Sequence, residues 1–563
     1  MTSPCLRGPA RPAPSRQSNR TTVRIHSRIS GSNRADYNRR PARGCGALLA
    51  DVPITAHHLL DLLAKRDREI AILDLRTPLD RSNGHIAISA GLPFHDLEQH
   101  ITALVPRPDT LIVLAGRPEV DERGAELLKR LGYRNVEVLE NGVDGWKSAG
   151  GRIYTGTNVR SKTLGEWIER KYATPTIDSD TLQQWRQAGE DVIVLDSRPA
   201  TEYLHHHIPG GYNTGGGAEI AYRGTQLVNN PQTKVVINCA GRTRGIVGAQ
   251  SLINTGIPNP VFSLHNGTPA WEKSGRALAF GAESDIPAPE SVTPRLAQWA
   301  ADTLAKAGAE VLTVAEVAHH LDDSTATTYL LDVRTPGEFA DQHFTAAVSA
   351  PGGQLVQGTD EFIAVRGARV VLVDTPDFVR AANTAQWLRF LHDGPLAVVA
   401  YTPDEDVLPA NRFQIPLPDV ARISWSDVQQ QPVRLVDLRD STRYDAGHLP
   451  GSIHARREHL DDLIADADGA RVVLVGDADY AAEHVAATLP SAVSVLEGGI
   501  EAAAHALTTA DPEYAGAIVD RTGPPDFGPE RAPWYEAYFA WELSLLRDSD
   551  GDPFFDFDSV DDR

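Results

Sequence analysis

Four times along this chain an apolar run ends in the signature Asp-x-Arg: AILDLRTP at Asp74, VIVLDSRP at Asp196, YLLDVRTP at Asp332 and VRLVDLRD at Asp437. Eleven residues after each Asp stands a histidine, His85, His207, His343 and His448, in the settings NGHI, HHHIPG, DQHF and AGHLPG. Such a fixed spacing is a repeat, and it constrains the fold more than any local propensity, because every copy must bury equivalent positions against equivalent partners. Roughly forty residues beyond each Asp comes a second apolar run, LIVLAG, VVINCAG, VVLVDT or VVLVGD, followed by a helical pattern such as GAELLKRLGY or GAQSLINTGI. Each unit reads as strand, crossover, strand, turn and helix. Continuous apolar strands alternating with helices predict parallel sheets covered on both faces, so the fold class is α/β in four tandem units.

The spacing places the units near residues 50–150, 173–280, 308–402 and 418–508, separated by polar and Pro-rich joints. A chain of 563 residues exceeds what one core organises. Two units finish in a turn bearing Gly and Trp, VLENGVDGW to Trp146 and SLHNGTPAW to Trp271, while the fourth ends in VLEGGIEAA without the tryptophan. LGEWIERKY, between the first two units, reads as a short amphipathic helix. Within residues 509–563, PWYEAYFAWELSLL reads as an aromatic helix packed on the last unit or between units, and the acidic end DSDGDPFFDFDSVDDR is expected to fray. Residues 1–48 are Arg-rich and read as disordered, either a targeting segment or a mistranslated extension, Met1 being the only methionine.

The formal net charge of −21 argues against nucleic acid or an anionic membrane as a partner. No apolar run reaches the roughly eighteen residues of a spanning helix. Three cysteines, Cys5, Cys45 and Cys239, make neither a disulfide framework nor a zinc site, which fits a reducing, cytoplasmic compartment. The adjacent His205, His206 and His207 point to different faces and lack a fourth ligand, so no metal and no other cofactor is expected.

Ligands of a parallel α/β sheet bind at the carboxyl ends of its strands, where loops into helices expose backbone N–H groups. Only the second unit carries a thiol there, Cys239 in VVINCAGRTRGIVGAQSL. A loop curling its amides toward the sulfur, a helix dipole and a nearby Arg lower a cysteine pKa from about 8.5 toward roughly 3.5–7.5. Cys239 is thus the expected nucleophile, the backbone of Ala240, Gly241, Arg242, Thr243, Arg244 and Gly245 an anion nest, and Arg242 and Arg244 the charges that orient an anionic donor. Arg223 is a further candidate substrate contact. Asp196, Arg198 and His207 recur in units without a thiol and are therefore expected to brace the sheet and loop. At the equivalent turn the other units carry Leu114 or Ala115, then Asp374, then Gly476, none of which offers a thiol, and the carboxylate at 374 should repel a bound anion.

Asp-x-Arg-x-x-x-Glu-Tyr from Asp196 to Tyr203, His-Ile-Pro-Gly from His207 and the Cys-centred loop at 239 make the chain resemble the rhodanese superfamily over about 50–508. The resemblance implies a sulfurtransferase that takes a sulfane sulfur from thiosulfate or a similar small anion, holds it as a persulfide and passes it to a thiol, cyanide or a protein acceptor. Thiolate attack on a polarised S–S bond with sulfite leaving is the corresponding chemistry. Rhodanese-like phosphatases use a Cys-x5-Arg loop, whereas Cys239 to Arg244 is Cys-x4-Arg, the shorter ring that suits a sulfane sulfur. The competing readings are a non-catalytic scaffold or persulfide and redox sensor, and a phosphatase or arsenate reductase.

Overall fold

The computed structural model describes residues 53–562 apart from 229, 283, 404–407, 409–412, 479 and 491. The expectation of disorder for residues 1–48 lies outside the described residues. Four sheets are present among those described, each built around one of the Asp-terminated strands. In the second, the order is Thr176–Ile177, Val261–Leu264, Lys234–Asn238, Val192–Asp196, Tyr212–Asn213, every pair parallel. The third and fourth sheets repeat this order, and the fourth adds Glu513–Tyr514 at its edge. The first gains a strand from elsewhere in the chain: Val365–Arg366, from the third lobe, pairs antiparallel with Ile70–Asp74.

The repeated residues explain the repeated shape. The helix that precedes the Asp-terminated strand of each lobe has its first turn capped by a side-chain oxygen, from Thr55, Asp178, Thr313 and Ser424 in turn. In the second lobe Arg198 grips Asp196 through Nε (2.8 Å) and an Nη (2.7 Å), and donates to the His206 carbonyl at 2.8 Å. Arg76, Arg334 and Arg439 do the same to Asp74, Asp332 and Asp437, each reaching a carbonyl eight residues on. A buried charge pair this well hydrogen-bonded fixes the strand end against the following loop. The histidines pack behind it: His207 places Nδ1 2.9 Å from the Tyr203 carbonyl and stacks on the Tyr203 ring, and His343 and His448 repeat that contact on Phe339 and Tyr444.

Two segments depart from expectation. The stretch containing LGEWIERKY belongs to a helix of 14 residues, Val159–Tyr172, which is sunk between lobes with its residues from Ser161 to Ile168 all buried. We call it the linker helix. Gly165 lets it approach the backbone of Thr243 so closely that a methyl group there would collide. The aromatic helix, Arg531–Asp548, lies between units, across the linker helix and the second lobe. The end of the chain is docked rather than frayed: the Tyr154 hydroxyl donates to Asp552 at 2.6 Å, Phe555 and Phe557 are buried, and Phe557 meets Trp167. Linker helix, first and third sheets and this tail share one continuous core.

Candidate active site

Cys239 follows strand Lys234–Asn238 and precedes helix Thr243–Asn254, the cradle helix. Asn238, the last strand residue, donates through Nδ2 to Asp196 and to Thr268, both at 2.9 Å, so the Asp–Arg brace extends to the residue beside the thiol. The NG turn lies directly behind: Gly267 has φ +54°, and a side chain there would strike the Cys239 carbonyl, which accepts the Thr268 amide at 2.9 Å. Strand, turn and brace leave Cys239 little freedom.

The loop curls as the sequence implied. The Gly241 amide donates to Sγ at 3.2 Å, and the Gly245 amide also points to it. Arg244 stands beside the thiol and is held by Glu202 in a bidentate pair of 2.7 and 2.8 Å. Sulfur, two amides and one guanidinium thus converge at the strand end, the arrangement that stabilises a thiolate or an oxyanion.

Four expectations need correction. The thiol pKa is raised, not lowered: Cys239 is 2 % exposed, and burial outweighs Arg244 and the two amides. Arg242 does not face the anion site; it turns toward the linker helix, bound by Glu166 at 2.6 and 2.8 Å and by Glu169 at 2.5 Å. Arg223 is similarly engaged, donating to Glu219 at 2.6 Å and to the Ile286 carbonyl at 2.9 Å, at the junction with the third lobe. The nest is also shared: Glu542 of the C-terminal helix accepts from the Thr243 hydroxyl at 2.6 Å and from its amide.

Sequence reading missed the groups that roof this cradle. Tyr538, Phe539 and Glu542 lie against Gly241. Glu542 is fully buried, its Oε2 has no hydrogen-bond partner among the described residues, and burial raises its pKa. Alongside opens a cavity of about 780 Å³ lined by Ala240 and Arg244 of the cradle, Lys162 of the linker helix, and Trp534, Tyr538 and Trp541 of the C-terminal helix.

In the other lobes the backbone identifies the equivalents of Cys239. Its carbonyl accepts an amide from the next turn, and the same bond is made by Gly116 to Val143, Asp374 to Tyr401 and Gly476 to Ile500. The first lobe's equivalent is therefore Gly116, not Leu114 or Ala115. In the third lobe Asp374 accepts from the amides of Thr375 and Ala381 and from Arg380 Nε, each at 2.8 Å, so the carboxylate occupies the cradle itself rather than merely repelling an incoming anion.

A parallel sheet with a cysteine at one strand end, ringed by loop amides and an arginine, defines a cysteine-cradle α/β protein. The chain belongs to the rhodanese family. The profile of the rhodanese-like domain matches residues 55–149, 178–274 and 422–506. A thiosulfate sulfurtransferase structure from Pseudomonas aeruginosa is 34% identical with a TM-score of 0.81, the match covering 89% of this chain and 98% of that one. SseB of Mycobacterium tuberculosis, named for thiosulfate sulfurtransferase activity, is 29% identical over 226 residues, 32% of this chain and 75% of that protein. The dual specificity phosphatase Cdc25 of Arabidopsis thaliana is 33% identical over 111 residues, 17% of this chain and 73% of that protein. No described helix is long and apolar enough to cross a membrane.

Proposed function

We propose that this chain is a sulfurtransferase that moves a sulfane sulfur from thiosulfate or a related anion to an acceptor through a persulfide on Cys239. The supporting observation is the convergence of the Gly241 and Gly245 amides and the Arg244 guanidinium on one sulfur. Cys239 Sγ attacks the outer sulfur of thiosulfate, the S–S bond breaks with its electron pair on sulfite, and the thiol proton leaves with sulfite as bisulfite. The protein keeps the transferred sulfur as Cys239–S–S⁻, stabilised by the same amides and Arg244. An acceptor thiol removes that sulfur and regenerates Cys239, a double displacement. Asp196, Arg198, Asn238 and His207 position the strand end, and Arg242 ties the loop to the linker helix.

Thiosulfate treatment is expected to add one sulfur to the peptide holding Cys239, by intact mass, and to release sulfite continuously when a thiol is supplied. Cys239→Ser abolishes both. Sulfite turnover persisting in that variant rules the proposal out, and a single loading without turnover favours the scaffold or sensor reading. The likeness to a dual specificity phosphatase makes phosphoester and arsenate assays the necessary controls, and both are expected to be silent.

A further inference from the structure

The cavity beside Cys239 is much larger than thiosulfate needs. At about 780 Å³ it has the size of sites that hold organic ligands, and its wall is aromatic, with Trp534, Tyr538 and Trp541 on one side. Its cations are unequal. Arg198, Arg244 and Arg531 each face a carboxylate, of Asp196, Glu202 and Glu272. Among the described residues Lys162 makes no ion pair: it is 5 % exposed, donates to the Thr157 carbonyl and hydroxyl, lies over the rings of Tyr538 (5.1 Å) and Trp541 (4.9 Å), and feels the carboxylates of Glu542 and Glu361 only from beyond contact. A buried ammonium on aromatic faces, without a counter-ion in contact, gains strongly from an anion brought alongside it.

We propose that this chamber binds the acceptor, a low-molecular-weight thiol bearing a carboxylate, with Lys162 holding the carboxylate and the aromatic wall holding the carbon chain. The proposal rests on Cys239 being the persulfide carrier. A protein acceptor is disfavoured because the sulfur lies beneath the C-terminal helix, and cyanide has neither a chain for the wall nor a carboxylate for Lys162. The acceptor thiolate attacks the outer sulfur of the persulfide. A bond forms between acceptor sulfur and outer sulfur, the bond to Cys239 Sγ breaks with its electron pair returning to Sγ, and the acceptor departs as a persulfide, with no external oxidant or reductant. Lys162 comes from the linker helix, so the lobe carrying the cysteine does not hold this site alone.

Burial lowers the Lys162 pKa to about 8, with Glu542 and Glu361 favouring its charge and Arg244 opposing it, and the Tyr538 ring lies against it. The test loads the full chain with thiosulfate, confirms loading by mass, and follows single-turnover transfer to 3-mercaptopropionate and to 2-mercaptoethanol. The expected preference for the carboxylated thiol is about tenfold or more, the size of one desolvated charge contact. Lys162→Met should erase most of it and Lys162→Arg should keep it. The preference should also decline as pH passes about 8 in the unaltered protein and hold in Lys162→Arg. Equal transfer to both thiols, or a preference unchanged in Lys162→Met, overturns the proposal. A second arm needs no variant and no sulfur chemistry: 3-(methylthio)propionate, lacking the thiol, should bind the ligand-free protein by calorimetry and compete with 3-mercaptopropionate. Absence of binding counts against the chamber, whereas failure to load sulfur counts against Cys239 as carrier.

Discussion

The second and third lobes are the instructive pair. Both carry the Asp–Arg brace, and both pair the arginine of the loop with a glutamate six residues beyond the brace aspartate, Arg244 with Glu202 and Arg380 with Glu338. They differ in what sits in the cradle. In the second it is a thiol, with Glu542 taking part of the nest from outside. In the third, Asp374 draws in two amides and Arg380, and Glu219 and Tyr222 of the second lobe cover that arginine. A cradle that supplies its own anion is filled from within, so the same loop architecture leaves a thiol at the strand end in one lobe and ties two lobes together through Arg380 in its neighbour.

The largest effect that separates them is on stability. Asp374→Asn removes the charge while nearly keeping the shape, leaving Arg380, which is fully buried, with Glu338 and the more distant Glu219. Breaking a buried pair from one side should cost about 3 kcal/mol. Urea unfolding is expected to show a lower midpoint with little change in slope. An unmoved midpoint would mean that the third cradle is not an element holding the lobes together.

How far the sequence carries this comparison depends on the range of the contacts. The brace, the histidine stack and the strand ends are local and periodic, so Asp196, Arg198, His207 and Cys239 were legible from spacing. The first lobe's register was not, because LIVLAG offers no polar marker at the strand end; the strand pairing and the backbone bond from Val143 to Gly116 resolve it. The roof was illegible for another reason. Glu542 meets Thr243 across 299 residues and Arg242 meets Glu166 across 76, and in the sequence these charges look like ordinary solvated helix faces. The raised thiol pKa follows from the same blindness: loop amides can be inferred from a motif, whereas burial by a distant helix cannot.

That roof gives the second, smaller effect. Burial is the main cause of the raised Cys239 pKa, with Glu542 adding to it, while Arg244 and the amides of Gly241 and Gly245 oppose it. Tyr538→Ala admits water over the cradle, weakens the desolvation, and should lower the thiol pKa. The rising limb of sulfite release against pH, which follows thiolate formation, should move to lower pH. A limb that stays in place would show that the C-terminal helix does not set the ionisation of Cys239.

The smallest effect tests the boundary between the two lobes. Arg223 was a candidate donor contact from its place in the crossover, yet its guanidinium is divided among Glu219, the Ile286 carbonyl and, at 3.6 Å, Glu338 of the third lobe. Held in that way it belongs to the junction sealed around Arg380. Arg223→Ala should leave the KM for thiosulfate within about twofold, since a contact outside the reacting site supplies no transition-state stabilisation. A tenfold rise in KM with persulfide formation otherwise intact would return Arg223 to the donor's path, and would mean that the junction between the lobes opens when the anion enters.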